Sequence, residues 1–179
     1  IGNAIRGLLL GLSRLQTMDQ YFLYTDSQNV SHYIPHCSAF TIRVLGPKVY
    51  PLWENLTFPR ALERDRIDVV HCPANTAPLA PLKRTRLVVT IHDLIFFASR
   101  ILDQGNLPTA HRLQHWYYRS CVRCVVKHAG IIITDSQNSR ADIMRYLTLP
   151  ESKVRVVQLA AGEHFRELPA LAKAVIKTR

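Results

Sequence analysis

The chain is short of acidic residues, of glycine motifs and of long apolar runs, and each shortage narrows what it can be. Against 23 Lys and Arg stand only 13 Asp and Glu in 179 residues, a formal charge of +10. That surplus suits a polyanionic partner, whether nucleic acid, anionic lipid head groups or a phosphorylated small molecule, and does not choose among them. The basic residues are scattered except at Lys83-Arg84-Thr85-Arg86 and in the Arg112, Arg119, Arg123, Lys127 series, a pattern that a solvated face explains equally well. Apolar runs such as Leu8-Leu9-Leu10 and Ile131-Ile132-Ile133 are short and soon interrupted, well below the roughly 18 residues of a spanning helix. The 7 glycines form no G-x-G-x-x-G, Walker loop or G-x-S-x-G, so no motif supports a dinucleotide, P-loop or serine-hydrolase site.

Cysteine is also sparse. Four in the whole chain make no disulfide framework. Cys121 and Cys124 form a C-x-x-C, with His111 and His115 upstream, which raises the question of zinc. On one helix, however, His111 and Cys124 would stand about 20 Å apart along the axis and roughly 140° apart in direction, which no tetrahedral site can close. Small buried thiols are the better reading. Ile1–Leu15 carries Arg6 and Arg14 within its apolar stretch, unlike a signal peptide. The expectation is a reducing, cytoplasmic setting, in which the Asn29-Val30-Ser31 and Asn55-Leu56-Thr57 sequons are chance matches.

What is present is the composition of a globular domain, 47% apolar and 20% charged, with the length for one core. Helical and extended patterns alternate along it. Asn3–Gln16 reads as an amphipathic helix, Gln20–Thr25 and Phe40–Leu45 as strands, and Leu52–Arg64 as a helix interrupted by Pro59. Strands are expected at Asp68–His71, Arg86–Ile91, Ile131–Thr134 and Val154–Leu159, with helices over Pro108–His128 and Asn138–Leu147. Such alternation implies a mainly parallel, doubly wound Rossmann-like α/β sheet covered on both faces. Ile1-Gly2-Asn3 enters a helix with no strand before it, and Pro169–Arg179 reads as the start of another element. The expectation is a fragment that lacks its first strand and whatever follows Arg179.

In open parallel sheets, ligands bind beyond the carboxyl ends of the strands. Those ends carry His71-Cys72-Pro73-Ala74-Asn75, His92-Asp93, Asp135-Ser136 and Gly162-Glu163, and the helix start at Gly2-Asn3 adds free backbone N–H groups. Each has a structural reading as well. Asp135-Ser136 suits a helix cap, His71 a core histidine, and Asn75 a turn that binds its own loop. His92 is the strongest candidate. It forms no dyad with Asp93, because successive strand residues point to opposite faces.

Val88-Val89-Thr90-Ile91-His92-Asp93-Leu94 resembles the "VVTIHDL" element in the N-terminal domain of family-four glycosyltransferases, retaining enzymes of the GT-B fold. Further segments follow in the family's order. Ile1-Gly2-Asn3 looks like the glycine loop after its first strand, although Ala4 stands where the family carries an aromatic. Trp53-Glu54 with Phe58-Pro59 resembles its "W-E/Q…L-P" helix, and Asp68–Leu79 its "DVLHSPANTAPL". Ile131–Ile143 is similar to "IITVSEXSKXDI", and Val154–Phe165 to "VXVIPLGVDXXF". The resemblance covers nearly the whole chain.

It implies an enzyme with its cleft between two Rossmann-like lobes. Residues 1–165 would be the N-terminal, acceptor-side lobe, and residues 166–179 the start of a linker or following element. The C-terminal lobe, which would hold the nucleotide-sugar donor and paired glutamates, lies outside this sequence, so the fragment is expected to be inactive alone. By the same resemblance, His92 is the catalytic candidate, set against the donor sugar, and Gly2 lies beside the diphosphate or sugar. Asn3, Asn75, Asp93 and Ser136 are substrate-binding candidates on the same rim. No metal or other cofactor is implied; the nucleotide-diphosphate sugar is a substrate, and the acceptor is a saccharide or lipid-linked. Bacterial mannosyltransferases of polysaccharide assembly are the members it resembles in flavour. A basic nucleic-acid-binding module is the alternative, weakened because Trp116-Tyr117-Tyr118 fall in a helix expected to pack them. Peripheral contact with an anionic membrane is compatible with the first reading, through Lys83–Arg86 and the arginines of that helix.

Overall fold

A computed structural model describes residues 2–27, 30, 33–46, 49–98 and 109–160. The Asn29 sequon, the helix start at Pro108, the Gly162-Glu163 pair and the 166–179 segment lie outside those residues. The described elements alternate as the residue pattern predicts. Helix α1 (Gly2–Ser13) leads to strands β1 (Tyr21–Thr25) and β2 (Phe40–Val44). A helical stretch follows, made of α2 (Tyr50–Leu52), a π-helical turn (Trp53–Thr57) and α3 (Phe58–Arg64). Then come β3 (Val69–Cys72), β4 (Arg86–Thr90), α4 (Ile95–Ala98), α5 (Thr109–His128), β5 (Ile131–Thr134), α6 (Gln137–Leu147), a 3-10 turn (Glu151–Lys153) and β6 (Val154–Val156).

Pro59 does not interrupt the helix as its residue type suggests. It sits in the first turn of α3, where a missing N–H is tolerated. The residue four before it is Asn55, inside the π-helical turn, and that wider turn relieves the clash a proline ring makes with the carbonyl at that spacing. Asn55 is also engaged on both sides. Its Nδ2 donates to Pro51 O at 2.9 Å and its Oδ1 accepts from Leu79 N at 2.9 Å.

Every described strand pair is parallel. β1 pairs with β2, and a separate sheet runs in the order β3-β4-β5-β6. The α/β fold is Rossmann-like, of the kind that forms the N-terminal lobe of a GT-B enzyme, with its parallel strands divided between two sheets. The alternating side chains of β3 to β6 bury most of one face. Val70, Cys72, Leu87, Val89, Ile132 and Val154 join Ile143 of α6 and Val122 and Val125 of α5 in a single core. On the opposite face Val69 is exposed and His71, Val88 and Ile133 are half-buried, so the described residues cover that face only in part.

The aromatic triplet on α5 does not pack as expected. Trp116 is 66% and Tyr117 38% exposed, and only Tyr118 lies against the core. Three consecutive helical residues fan over about 200° of the helix surface, more than one buried stripe can cover.

Candidate functional site

The parallel register determines which strand ends meet. Thr90 lies opposite Ile133, and Ile91 N donates to Ile133 O at 2.8 Å. Two residues further along, the same register brings His92 and Asp135 side by side. The structure joins them: His92 Nδ1 and Asp135 Oδ2 are 2.6 Å apart, with the two side chains 14% and 23% exposed. The other ring nitrogen, Nε2, lies 2.9 Å from Pro73 O. One imidazole therefore ties together the ends of β3, β4 and β5.

The chemistry of the two partners sets the ring's protons. A backbone carbonyl only accepts, so Nε2 must carry a hydrogen. An ionised carboxylate also only accepts, so Nδ1 must carry one too. A ring that donates through both nitrogens is an imidazolium, and neither nitrogen then keeps a lone pair with which to take a proton. His71 stands close by in β3, its Nε2 2.7 Å from Thr90 Oγ1. Burial, with the charge of His92 as a lesser cause, holds its imidazole below the usual histidine range. The environment of His71 therefore favours its neutral form.

The other rim candidates hold this centre in place. Asn75 takes the left-handed region at φ 63°, where asparagine is among the few side chains readily tolerated. Its N–H donates to Thr90 O at 2.9 Å and its Oδ1 accepts from His92 N at 2.8 Å. Being buried, Asn75 acts through His92. Asp93 Oδ1 accepts from Ile95 N at 3.2 Å and so caps the short α4. Ser136 is the N-cap of α6, its Oγ accepting from Ser139 N at 3.1 Å. The hydroxyl of Ser139 in turn donates to His92 O at 3.0 Å. Ser139 is the part of the centre that the residue pattern did not single out; Asp135 and Pro73 lie in the strand ends it named, without a contact to His92 being expected of either. The register of β4 on β5 was the signal that pointed to Asp135.

Gly2 and Asn3 sit elsewhere on the same rim. They are exposed at the start of α1 and line a cavity of about 840 Å³ together with Pro73, Ala74 and Thr76 beyond β3. Pro73 is the common neighbour of this cavity and of His92. The basic pair Lys83-Arg84 lies at the other end of the sheet from His92. It lines a second cavity, of about 450 Å³, with Glu63, Asp68 and Thr85, at the amino ends of β3 and β4. Among the described residues no group of three His, Cys, Asp or Glu side chains could hold a metal ion, and no helix is long and apolar enough to cross a membrane.

This geometry, a polar centre at the carboxyl rim of a parallel sheet, agrees with the comparison by sequence. A model of Glycosyltransferase Family 4 matches residues 19–160, most of the chain and every element from β1 to β6. The chain belongs to glycosyltransferase family 4. The His92–Asp135 centre falls within the matched region of this family-4 domain, whereas Gly2 and Asn3 precede it. No curated protein is a significant match to the chain. A family-4 domain implies a transferase acting on a sugar donor and an acceptor.

The cysteines of the domain stand apart from this chemistry. Burial, with Glu54 as a lesser cause, pushes the Cys72 thiol up to about 12, and burial also raises Cys121. Cys124 Sγ donates to Leu79 O at 3.3 Å. Cys72 and Cys121 are packed groups, poor in thiolate at neutral pH.

Proposed function

We propose that this domain is the acceptor-side lobe of a retaining glycosyltransferase, moving a hexose such as mannose from a nucleotide-diphosphate sugar to a saccharide or lipid-linked acceptor. The observation that carries the reading is the His92–Asp135 ion pair at the strand-end rim of a family-4 domain. A fixed positive charge in a largely covered site favours negative charge developing on a departing phosphate oxygen. The same pair is unsuited to general-base work, because both ring nitrogens already donate.

That combination fits a reaction in which the leaving group takes the proton. The bond from C1 to the phosphate oxygen breaks and the acceptor oxygen bonds to C1 from the same face. The acceptor's proton passes to the departing phosphate oxygen. The domain's part is to hold the cation, through Asp135, Pro73 and Asn75, while a second lobe supplies donor contacts.

The test is the stereochemistry of the product. In the intact transferase, supplied with an α-linked nucleotide sugar, the one-bond coupling at C1 of the product should report an α linkage. A β product would remove the retaining mechanism, because inversion requires a base on the opposite face. The 179-residue chain by itself should give no turnover.

A further inference from the structure

Helix α5 carries a charge pattern that neither the core nor the His92 centre uses. Its sequence holds three arginines and a lysine, and no aspartate or glutamate. Arg112, Trp116, Arg119, Arg123 and Lys127 recur along it three or four residues apart. That spacing keeps them within about 80° of the helix surface, along about 22 Å of its length. Arg112, Arg123 and Lys127 are exposed, and so is two-thirds of Trp116. The apolar side of the helix, with Val122 and Val125, is buried in the core.

Two of these cations are held in place without a counter-charge. The guanidinium carbons of Arg119 and Arg123 stand 5.1 and 5.3 Å from the centre of the Phe97 ring. Stacking on a ring steadies a guanidinium and leaves its edge donors free for an oxyanion. Among the described residues no carboxylate forms an ion pair with either arginine, and Arg119 Nε is buried with no hydrogen-bond partner. Like charges gathered on one ring repel each other, and an oxyanion shared by them relieves that repulsion.

The stripe leads to the rim. α5 feeds β5, so it runs against the strands and its first half lies toward their carboxyl ends. There Tyr118 bonds the Asn75 side chain, whose Oδ1 accepts from His92 N. At the far end, Lys127 O accepts from Lys153 Nζ just ahead of β6. Trp116 is thus two residues from the point where α5 meets the His92 centre.

We propose that this stripe binds an anionic saccharide, the already-built part of the acceptor. Its carboxylate or phosphate groups sit on Arg119 and Arg123, and a sugar ring stacks on Trp116. The C–H bonds on one face of a sugar ring are weakly positive and meet the negative face of an indole. An anionic membrane fits less well, because the apolar side of α5 is already used by the core and none is left to insert. Single-stranded nucleic acid stacks its bases on successive rings, and the stripe offers one. The acceptor role rests on the transfer reaction proposed above; the charge and exposure of the stripe do not.

Calorimetric binding of an oligogalacturonate octasaccharide to the intact transferase, with no donor present, tests it. The fully methyl-esterified octasaccharide, with the same rings and no charge, should not bind measurably. Trp116→Ala should weaken binding about 10-fold, and Arg119→Gln about 10- to 100-fold. Lys83→Gln with Arg84→Gln, at the other end of the sheet, should change it less than about twofold. If Arg119→Gln lowers Tm, the exposed pair Arg112→Gln and Lys127→Gln must produce the loss instead. No binding of the octasaccharide, indifference to Trp116→Ala, or an equal loss from the Lys83 and Arg84 changes would overturn the proposal. So would tighter, Trp116-dependent binding of phosphatidylglycerol vesicles or of oligothymidylate, which would put a lipid or a nucleic acid on the stripe. In turnover assays the octasaccharide should compete with the acceptor and not with the donor. Competition with the donor, or no inhibition, would contradict the acceptor role. A β-linked product, by contrast, would remove the retaining reaction and leave the binding losses standing.

Discussion

Asp135→Asn is expected to lower turnover of the intact transferase by about 10- to 100-fold while leaving its Tm nearly unchanged, and His92→Ala by about 100- to 1000-fold, the range seen when a preorganised electrostatic group is removed. The two variants separate charge from architecture. In Asp135→Asn the carboxamide can still bond His92 Nδ1 by donating to it, so the ring keeps its place and its bond to Pro73 O. It loses only the partner that demands a second ring proton. His92→Ala removes the charge and also the strut between β3, β4 and β5, so a drop in Tm should accompany it. Wild-type turnover in Asp135→Asn, measured with donor saturating, would mean that the imidazolium charge has no part in transfer.

Ile132→Ala is expected to destabilise the domain by about 3–4 kcal/mol, the usual cost of emptying a well-packed core position. Ile132 is fully buried in β5, paired with Val89 on one side and Val154 on the other. Both neighbours are held by a backbone ladder, so little collapse into the space is open to them. For a chain of this size, that corresponds to a fall in Tm of about 10 °C. Val44→Ala, at an exposed position on β2, should cost well under 1 kcal/mol. Equal effects of the two changes in thermal unfolding would contradict the core described here.

The strands were legible because their residues leave little choice. Ile131–Thr134 is a short β-branched run between a glycine and a polar pair, and it is a strand over those same residues. The helix of α6 was legible too, since Ser136 is a capping residue with helical spacing after it. The continuity through Pro59 was hidden, because a π-helical turn leaves no mark in apolar periodicity. So was α4, which is four residues long and depends on Asp93 and on packing of Phe97 beneath the guanidinium groups of Arg119 and Arg123. At the site, His92 and the Asp135-Ser136 pair were both visible as polar strand ends. Their contact was not, because it depends on the offset between β4 and β5, which no single strand encodes. The role of Asn75 was hidden for the same reason, since its Oδ1 bonds His92 N, a group brought near only by the fold, whereas Ser136 forms the local cap its residue type suits.

The central claim is that the strand-end rim around His92 faces the sugar being transferred. Photo-crosslinking with a nucleotide sugar bearing a diazirine on the hexose, in the intact transferase, tests it most directly. Labelled peptides should contain residues 73–76, 91–94 or 135–139, and an excess of unmodified donor should abolish the labelling. Labelling confined to the opposite end of the sheet, at residues 62–68 and 83–86, would contradict the account.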